Sequence, residues 1–360
     1  MPNPPRFMVS AALSLYRNTH ALADRMVPAQ LAVLDRMFGV VRTATIGTAA
    51  RLRLADHLAD GPLDAAALAA RAGLDVDATH RLMRTLASLG VFTLHGDGRF
   101  SNNRLSHLLR SEVAGSLRNF ADYMGSASNL RAYSDLDGAV RTGVNAFETV
   151  NGHNVWDWFA AHPDEGKTFA GAMRDGTSMD ARVLAAGFGF GDAGKVCDVA
   201  GGQGTLLAEI LVQHPGLGGV LFDEAHVLAE ADPLLRARGV LERTEKVAGS
   251  FFESIPGGCG AYVLKDILHD WDDARSMKIL ANVRRAAAPG AHVVLIETLV
   301  EANEAVHPGP MIDLHMLMVC LGGRQRSRAD FERLLAATGF RLERVAEVAS
   351  IQSLVIGVAV

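Results

Sequence analysis

The sequence predicts an α/β protein: a C-terminal, doubly wound parallel sheet preceded by a mainly helical domain. Two observations carry this reading. From about residue 187 onward, short β-rich apolar runs alternate with helical repeats, and that alternation builds parallel βαβ units. Before that point apolar residues recur almost throughout at helical spacing. The chain has 360 residues, 49% of them hydrophobic, enough for two domains with proper cores, cut at 1–186 and 187–360.

Helical spacing runs through 29–58. The stretch LDAAALAARAGLDVDATHRLMRTLASLGVFTLHGDGRFSNN then predicts a helix at 64–71, a turn at Gly73, and a second helix at 77–89. Asp75 and Asp77 are both candidate N-caps of that helix, since a short carboxylate can accept from its free amides. VFTL and RFS, joined by the turn HGDG, read as two extended pieces. Helix, turn, helix and wing together make a winged helix. Residues 105–187 return to helical periodicity. In the second half KVCDVA, GGVLFD, EKVAGSF, AYVLKD and AHVVLIE are the strands. LLAEILVQH, ADPLLRARG, DARSMKILANVRRAAA and RADFERLLAATG are the helices, and GFRLERVAEV with SLVIGVAV predicts a terminal hairpin.

Bulk properties exclude several classes of function. A net charge of −5 gives no general attraction to nucleic acid or to an anionic membrane. A winged helix carrying His80, Arg81 and Arg84 raises DNA binding, but the domain's acids offset its basic residues and no positive stripe follows the wing. Cys197, Cys259 and Cys320 form no CxxC and read as reduced thiols of a cytoplasmic protein. The start lacks a basic leader, and Arg17 and His20 break its apolar run. Neither a signal peptide nor a membrane span is expected there.

Chemistry concentrates at the strand ends. The strand through Asp198 runs into AGGQGT, where Gly201, Gly202 and Gly204 let backbone approach a ligand closely. The next strand ends at Asp223, nineteen residues after Gly204, a spacing that suits ribose hydroxyls. The pair points to a nucleoside cofactor, although the third glycine of a dinucleotide fingerprint is missing. In VLKDILHDWDD (263–273), His269 lies just past a strand, at the edge where doubly wound sheets bind ligands. It is a candidate general base, with His307 and His315 as competitors. No HxH, HExxH or tight carboxylate cluster is visible, so no metal is expected.

DVAGGQGT, LFDEAHV, VLKDILHDWDD, VVLIET and MIDLHMLMVCLGGRQRS occur in that order. Together they resemble the motifs of the plant- and bacterial-type small-molecule O-methyltransferases, over essentially the whole chain. The winged helix resembles that family's dimerisation domain. The resemblance implies a Rossmann-like domain binding S-adenosyl-L-methionine, a homodimer, and methyl transfer to a phenolic hydroxyl of a small aromatic molecule. Gly201 and Gly202, just after Asp198, would lie against the methionine portion, and Asp223 would take the ribose. Ser250 and Phe251 would flank adenine, with Lys265 and Trp271 nearby. Thr177 and Ser178 would either contact the cofactor carboxylate or cap a helix.

By the same resemblance His269 stands where the family keeps its base, and Glu297 matches one of two supporting glutamates. The second falls on Gln325, which can orient an imidazole but cannot stabilise its cation with charge; Asp270 is the candidate to compensate. Phe169, Met173, Met316 and Cys320 would surround the acceptor. Ala200 replaces the family's first glycine, and Ser250 replaces an acid at the adenine turn. A second reading keeps the cofactor but replaces methyl transfer by hydroxylation or pericyclic chemistry on a polyketide-like substrate. Gln325 favours it; His269 and Glu297 oppose it.

Overall fold

In the computed structural model, which describes residues 14–15, 18–19, 21–301, 303 and 308–360, the expected strands form. Their ranges are β1 (Phe92–Leu94), β2 (Phe100–Asn102), β3 (Lys195–Val199), β4 (Gly218–Asp223) and β5 (Thr244–Ala248). β6 (Ala261–Lys265), β7 (His292–Glu297), β8 (Phe340–Glu347) and β9 (Ser353–Ala359) complete the set. The last seven make one sheet in the order β5-β4-β3-β6-β7-β9-β8. β3 to β7 pair in parallel, while β9 runs antiparallel to both its neighbours. The terminal hairpin is present, with its second strand inserted between β7 and β8.

The central parallel strands β3, β4, β6 and β7 are covered on both faces, which is why they read as continuous apolar runs and not as alternating ones; the edge strand β5 is more exposed. Val196, Leu221, Val263, Val294 and Ile356 are buried together with Leu207, Ile210 and Leu211 of the helix Thr205–Gln213. Strand order reverses between β3 and β6. A crevice at the carboxyl ends of those two strands is the ligand position of such sheets.

Two compact units emerge, and they do not meet at a single cut near 187. One consists of Asp135–Val155 and Asp180–Val360; the other takes the described residues up to Ser134 and Trp156–Met179. The reason is local: the 24-residue helix Pro163–Ala186 is continuous through the point where the chain passes from one unit to the other. The winged helix belongs to the second unit. Asp64 and Asp75 cap its helices, each accepting from the amide three residues on, and Gly73 ends the first helix at φ +68. Asp77 lies inside the first turn of Val76–Ser88 and pairs with Arg81, so of the two candidate caps Asp75 serves. Leu54, Leu68, Met83, Leu86 and Phe100 form this unit's core. No helix among the described residues is long and apolar enough to cross a membrane.

Candidate active site at the carboxyl edge of the sheet

The loop after β3 is shaped by left-handed backbone. Ala200, Gly202 and Gly204 have φ of +56, +60 and +81. Gly201 cannot carry a side chain, because a Cβ there would lie 2.6 Å from the Asp198 carboxylate and from Leu221. The Gly202 amide donates to Asp223 Oδ2 at 2.8 Å and the Glu224 amide to Oδ1 at 2.7 Å. The acid that ends β4 therefore fixes the loop and keeps a further lone pair on each oxygen. Asp198 is 1% exposed and its Oδ2 has no partner. Burial, then the neighbouring Asp223, pushes its pKa up to about 7.

An aromatic wall stands on the other side of the switch. Trp271 packs edge-on to Phe252 with centroids 4.8 Å apart and to Phe251 at 6.2 Å. Asn282 holds this turn by donating to the Phe251 carbonyl at 2.7 Å. Ser250 lies within the same turn, its hydroxyl accepting from the Phe252 amide. Lys265, expected near the cofactor, directs its ammonium to Asp266 Oδ2 at 2.5 Å.

His269 sits in a single 3-10 turn, Leu268–Asp270, directly after β6. Glu297, at the end of β7, is fully buried; Oε1 accepts from the Leu268 amide at 2.9 Å and Oε2 lies 3.2 Å from His269 Nδ1. The Gln325 amide is 3.0 Å from the same nitrogen. The amide nitrogen, Nε2, is the atom that faces it, and neither Gln325 Oε1 nor Glu297 Oε2 has a hydrogen-bond partner among the described residues, so which group donates at Nδ1 is set by the protonation of the ring. Asp270 does not join them: its Oδ1 is 3.5 Å from the other ring nitrogen, Nε2. Burial opposes charge on His269, but Glu297, Asp270 and Asp266 outweigh it and raise its pKa to about 10. Burial, against the pull of His269, lifts Asp270 to about 6.

Of the competing bases, His307 lies outside the described residues. His315, on the helix Gly309–Val319, is pushed down to about 4 by burial and by the charge of His269. It is thus much the weaker base. Met316 and Cys320 flank the site within this unit: Cys320 Sγ is 3.3 Å from Asp270 Oδ1 and 3.8 Å from Met316 Sδ. Burial raises the Cys320 thiol well above its ordinary value. Phe169, Met173 and Thr177 belong to the other unit. There Phe169 stacks on Phe159 with centroids 4.7 Å apart and meets Trp156 and Tyr123 edge-on. Met173 is 36% exposed. Thr177 and Ser178 lie in the interior of a long helix, so neither caps one.

Three contributors carry no sequence signal. Arg326 is 1% exposed and holds the turn around His269, donating to the carbonyls of Leu268 (2.6 Å) and Trp271 (2.7 Å), to Ser276 Oγ and to Asp273. Asp266 has φ +55 and reaches back towards His269 Nδ1, at 3.7 Å. Gln352 donates to the Asp266 carboxylate. Asp266, His269 and Glu297 thus bring three donor atoms within 4.8 Å of one another, a cluster no spacing announced. The Lys265 ammonium lies beside it, on Asp266 Oδ2.

Residues 133–341 match the O-methyltransferase domain family and residues 34–112 match the O-methyltransferase dimerisation domain. The chain belongs to the O-methyltransferase family. This methyltransferase is 39% identical over 322 residues to the O-demethylpuromycin-O-methyltransferase of Streptomyces alboniger, with 88% of this chain and 85% of that one covered. It is 37% identical over 329 residues to the phenazine O-methyltransferase PhzM of Lysobacter antibioticus, covering 91% and 96%. Among solved structures it is similar to the O-methyltransferase NcsB1 from neocarzinostatin biosynthesis, in complex with S-adenosylmethionine and 2-hydroxy-5-methyl naphthoic acid. That likeness has a TM-score of 0.77 and 32% identity, covering 89% of this chain and 96% of the other. The methyltransferase depends on S-adenosylmethionine, and its relatives act in secondary metabolism on aromatic acceptors among others.

Proposed function

We propose that this methyltransferase acts on a phenolic hydroxyl of a small aromatic secondary metabolite, with His269 as general base and as a homodimer. The observation that carries the reading is the asymmetry of His269. Its Nδ1 lies 3.2 Å from the Glu297 carboxylate and 3.0 Å from the Gln325 amide, while Nε2 is turned away from both, so that once unprotonated it can take a proton from an acceptor.

The residues after β3 fit the cofactor. A buried carboxylate with an unpartnered oxygen, Asp198, suits a cation close by, and bare Gly201 gives room for close approach. Asp223 presents two acceptor oxygens for ribose hydroxyls; Ser250, Phe251 and Trp271 offer an edge for a purine. Lys265 contributes by fixing Asp266. When bound, S-adenosylmethionine supplies an electrophilic methyl group on a positively charged sulfur. The protein aligns the acceptor, excludes water and removes the proton. A phenol has a pKa of about 10, judged by tyrosine, so the neutral ring, raised to about 10, matches it in basicity; the ring acts as base once it has given up its own second proton, and turnover should therefore rise towards alkaline pH. Met316 and Cys320 supply soft surface for a flat acceptor.

The homodimer rests on the dimerisation-domain match and on exposed apolar side chains within and beside it. Leu31, Val33, Leu34, Met37, Phe38 and Val40 are all exposed along the helices Ala29–Met37 and Gly39–Arg51. A run of this size marks a protein contact surface.

The test is transfer of labelled methyl from S-adenosylmethionine to a panel of phenols, hydroxybenzoates and hydroxynaphthoates. His269→Ala should lower turnover roughly 10²–10⁴-fold on the best acceptor. Absence of labelled product across the panel would defeat the phenolic reading, and a near wild-type rate in the variant would defeat the base assignment.

A further inference from the structure

A family member with glutamine at position 325 lacks one of the two acids expected beside the base, and Asp270 faces the wrong ring nitrogen to replace it. We propose that Asp266 is a positioning residue for His269, supplying from the end of β6 the second carboxylate on the Nδ1 side. The proposal rests on the reading of His269 as base.

Its geometry is specific. Asp266 directly follows β6, its amide donating to the Ile296 carbonyl at 3.0 Å. Left-handed backbone at φ +55 turns its carboxylate towards the site and not along the strand. Asn and Asp tolerate that conformation better than other residues with a Cβ. Each oxygen is then placed: Oδ2 on the Lys265 ammonium, Oδ1 under the Gln352 amide and 3.7 Å from His269 Nδ1. Gln352 is itself fixed from the turn before β9, where its amide donates to Ser350 Oγ, and that hydroxyl donates to Asp180. The carboxylate is thus tied by two partners, Lys265 and Gln352, before it meets the imidazole. An acid so restrained orients and charges a partner without moving to follow it.

Other charged groups face His269, and they define what a variant must be measured against. Glu297 approaches from β7 and Asp270 from its own turn; His315 approaches from the helix Gly309–Val319, and Lys265 offsets Asp266. Gln325 is neutral, and the guanidinium of Arg326 points away to the carbonyls of Leu268 and Trp271. With Gln325 neutral, Glu297 and Asp266 are the two carboxylates on the Nδ1 side. Asp266 holds a negative charge despite burial because Lys265 and His269 favour the ionised form.

The experiment titrates the His269 ring by NMR in the full-length protein carrying 13C-labelled histidine, with His269→Gln to assign the signal. Asp266→Asn, which keeps the left-handed turn, should lower the His269 midpoint by about one pH unit, as loss of an opposite charge at this range does. Adding Gln325→Glu to that variant should bring the midpoint back, which a purely structural role for Asp266 would not. Asp266→Gly provides the same charge loss on a backbone that takes φ +55 freely, should the asparagine variant not fold. An unchanged midpoint in Asp266→Asn or Asp266→Gly, or no recovery with Gln325→Glu, overturns the proposal. The kcat profile with the best phenolic acceptor separates it from the base reading. If the ring midpoint moves while the rate profile stays put, Asp266 still acts on His269 but His269 is not the base.

Discussion

Glu297 divides its carboxylate between two tasks: one oxygen accepts the Leu268 amide, and the other lies 3.2 Å from His269 Nδ1. The same side chain therefore sets where the base stands and how readily it holds a proton. Glu297→Gln keeps the first task and removes the charge behind the second. The His269 pKa should fall from about 10, and the rising limb of the kcat profile should move to lower pH. Turnover at the plateau should drop by less than the roughly 10²–10⁴-fold that loss of a base costs. A rate–pH series on both proteins checks this, and an unmoved limb counts against the pairing.

Stability should follow pH in the corresponding direction. An unfolded histidine titrates at about 6.5, below its folded value, so the folded network gains from the protonated ring. That contribution is complete below about 6.5 and is lost as pH rises towards about 10. Denaturant midpoints between pH 6 and 10 should decline more steeply in the wild type than in His269→Gln.

Ala200 occupies left-handed backbone, φ +56, where its methyl group is strained. Ala200→Gly should stabilise the fold by up to about 1 kcal/mol, the relief of one left-handed non-glycine residue less the added freedom of the unfolded chain. Chemical denaturation reads the change; a loss of stability would mean that the methyl contributes packing that outweighs the strain.

Arg326 bridges two carbonyls of the catalytic turn from a buried position. Arg326→Met should destabilise by about 3 kcal/mol, since it removes the short charged donor to those carbonyls, leaving them only the longer contacts of the Ser276 hydroxyl, and leaves Asp273 without this partner. It should also raise the cofactor KM, because the turn it holds carries Trp271. Thermal melts with and without S-adenosylhomocysteine test both parts.

Phe38→Asp places a charge in the exposed apolar run of the dimerisation domain, where Phe38 is 59% exposed. The proposed homodimer should weaken or dissociate, measured by light scattering after size exclusion. A monomeric wild type at micromolar concentration would remove the basis for that expectation.

Much of the sheet was legible because a strand covered on both faces must be apolar throughout, and β3, β4, β6 and β7 are. The insertion of β9 between β7 and β8 was not, since nothing in SLVIGVAV says which edge it joins. The division into compact units was not legible as contacts draw it for a similar reason: the helix Pro163–Ala186 looks the same in sequence on either side of residue 180. His269, Glu297 and Gln325 could be picked out as strand-end or motif positions. Asp266 could not, because its role depends on a left-handed φ that turns a strand-end acid around. Arg326 is one of many arginines, and its burial is a property of the loops that close over it.

The turn bearing His269 and the segment bearing Gln325 are laced together by main chain. Trp271 bridges to Leu321 and Leu299 to Arg326, and the Arg324 amide donates to the His269 carbonyl at 2.8 Å. Asp313, on the Gln325 amide, reaches into this lacing from the neighbouring helix Gly309–Val319. Main-chain contacts therefore carry much of what joins the two segments around His269. If His269 is the base, a main-chain frame of this kind lets the side chains around an acceptor change without moving the imidazole: reach and selectivity could vary while proton handling stays put.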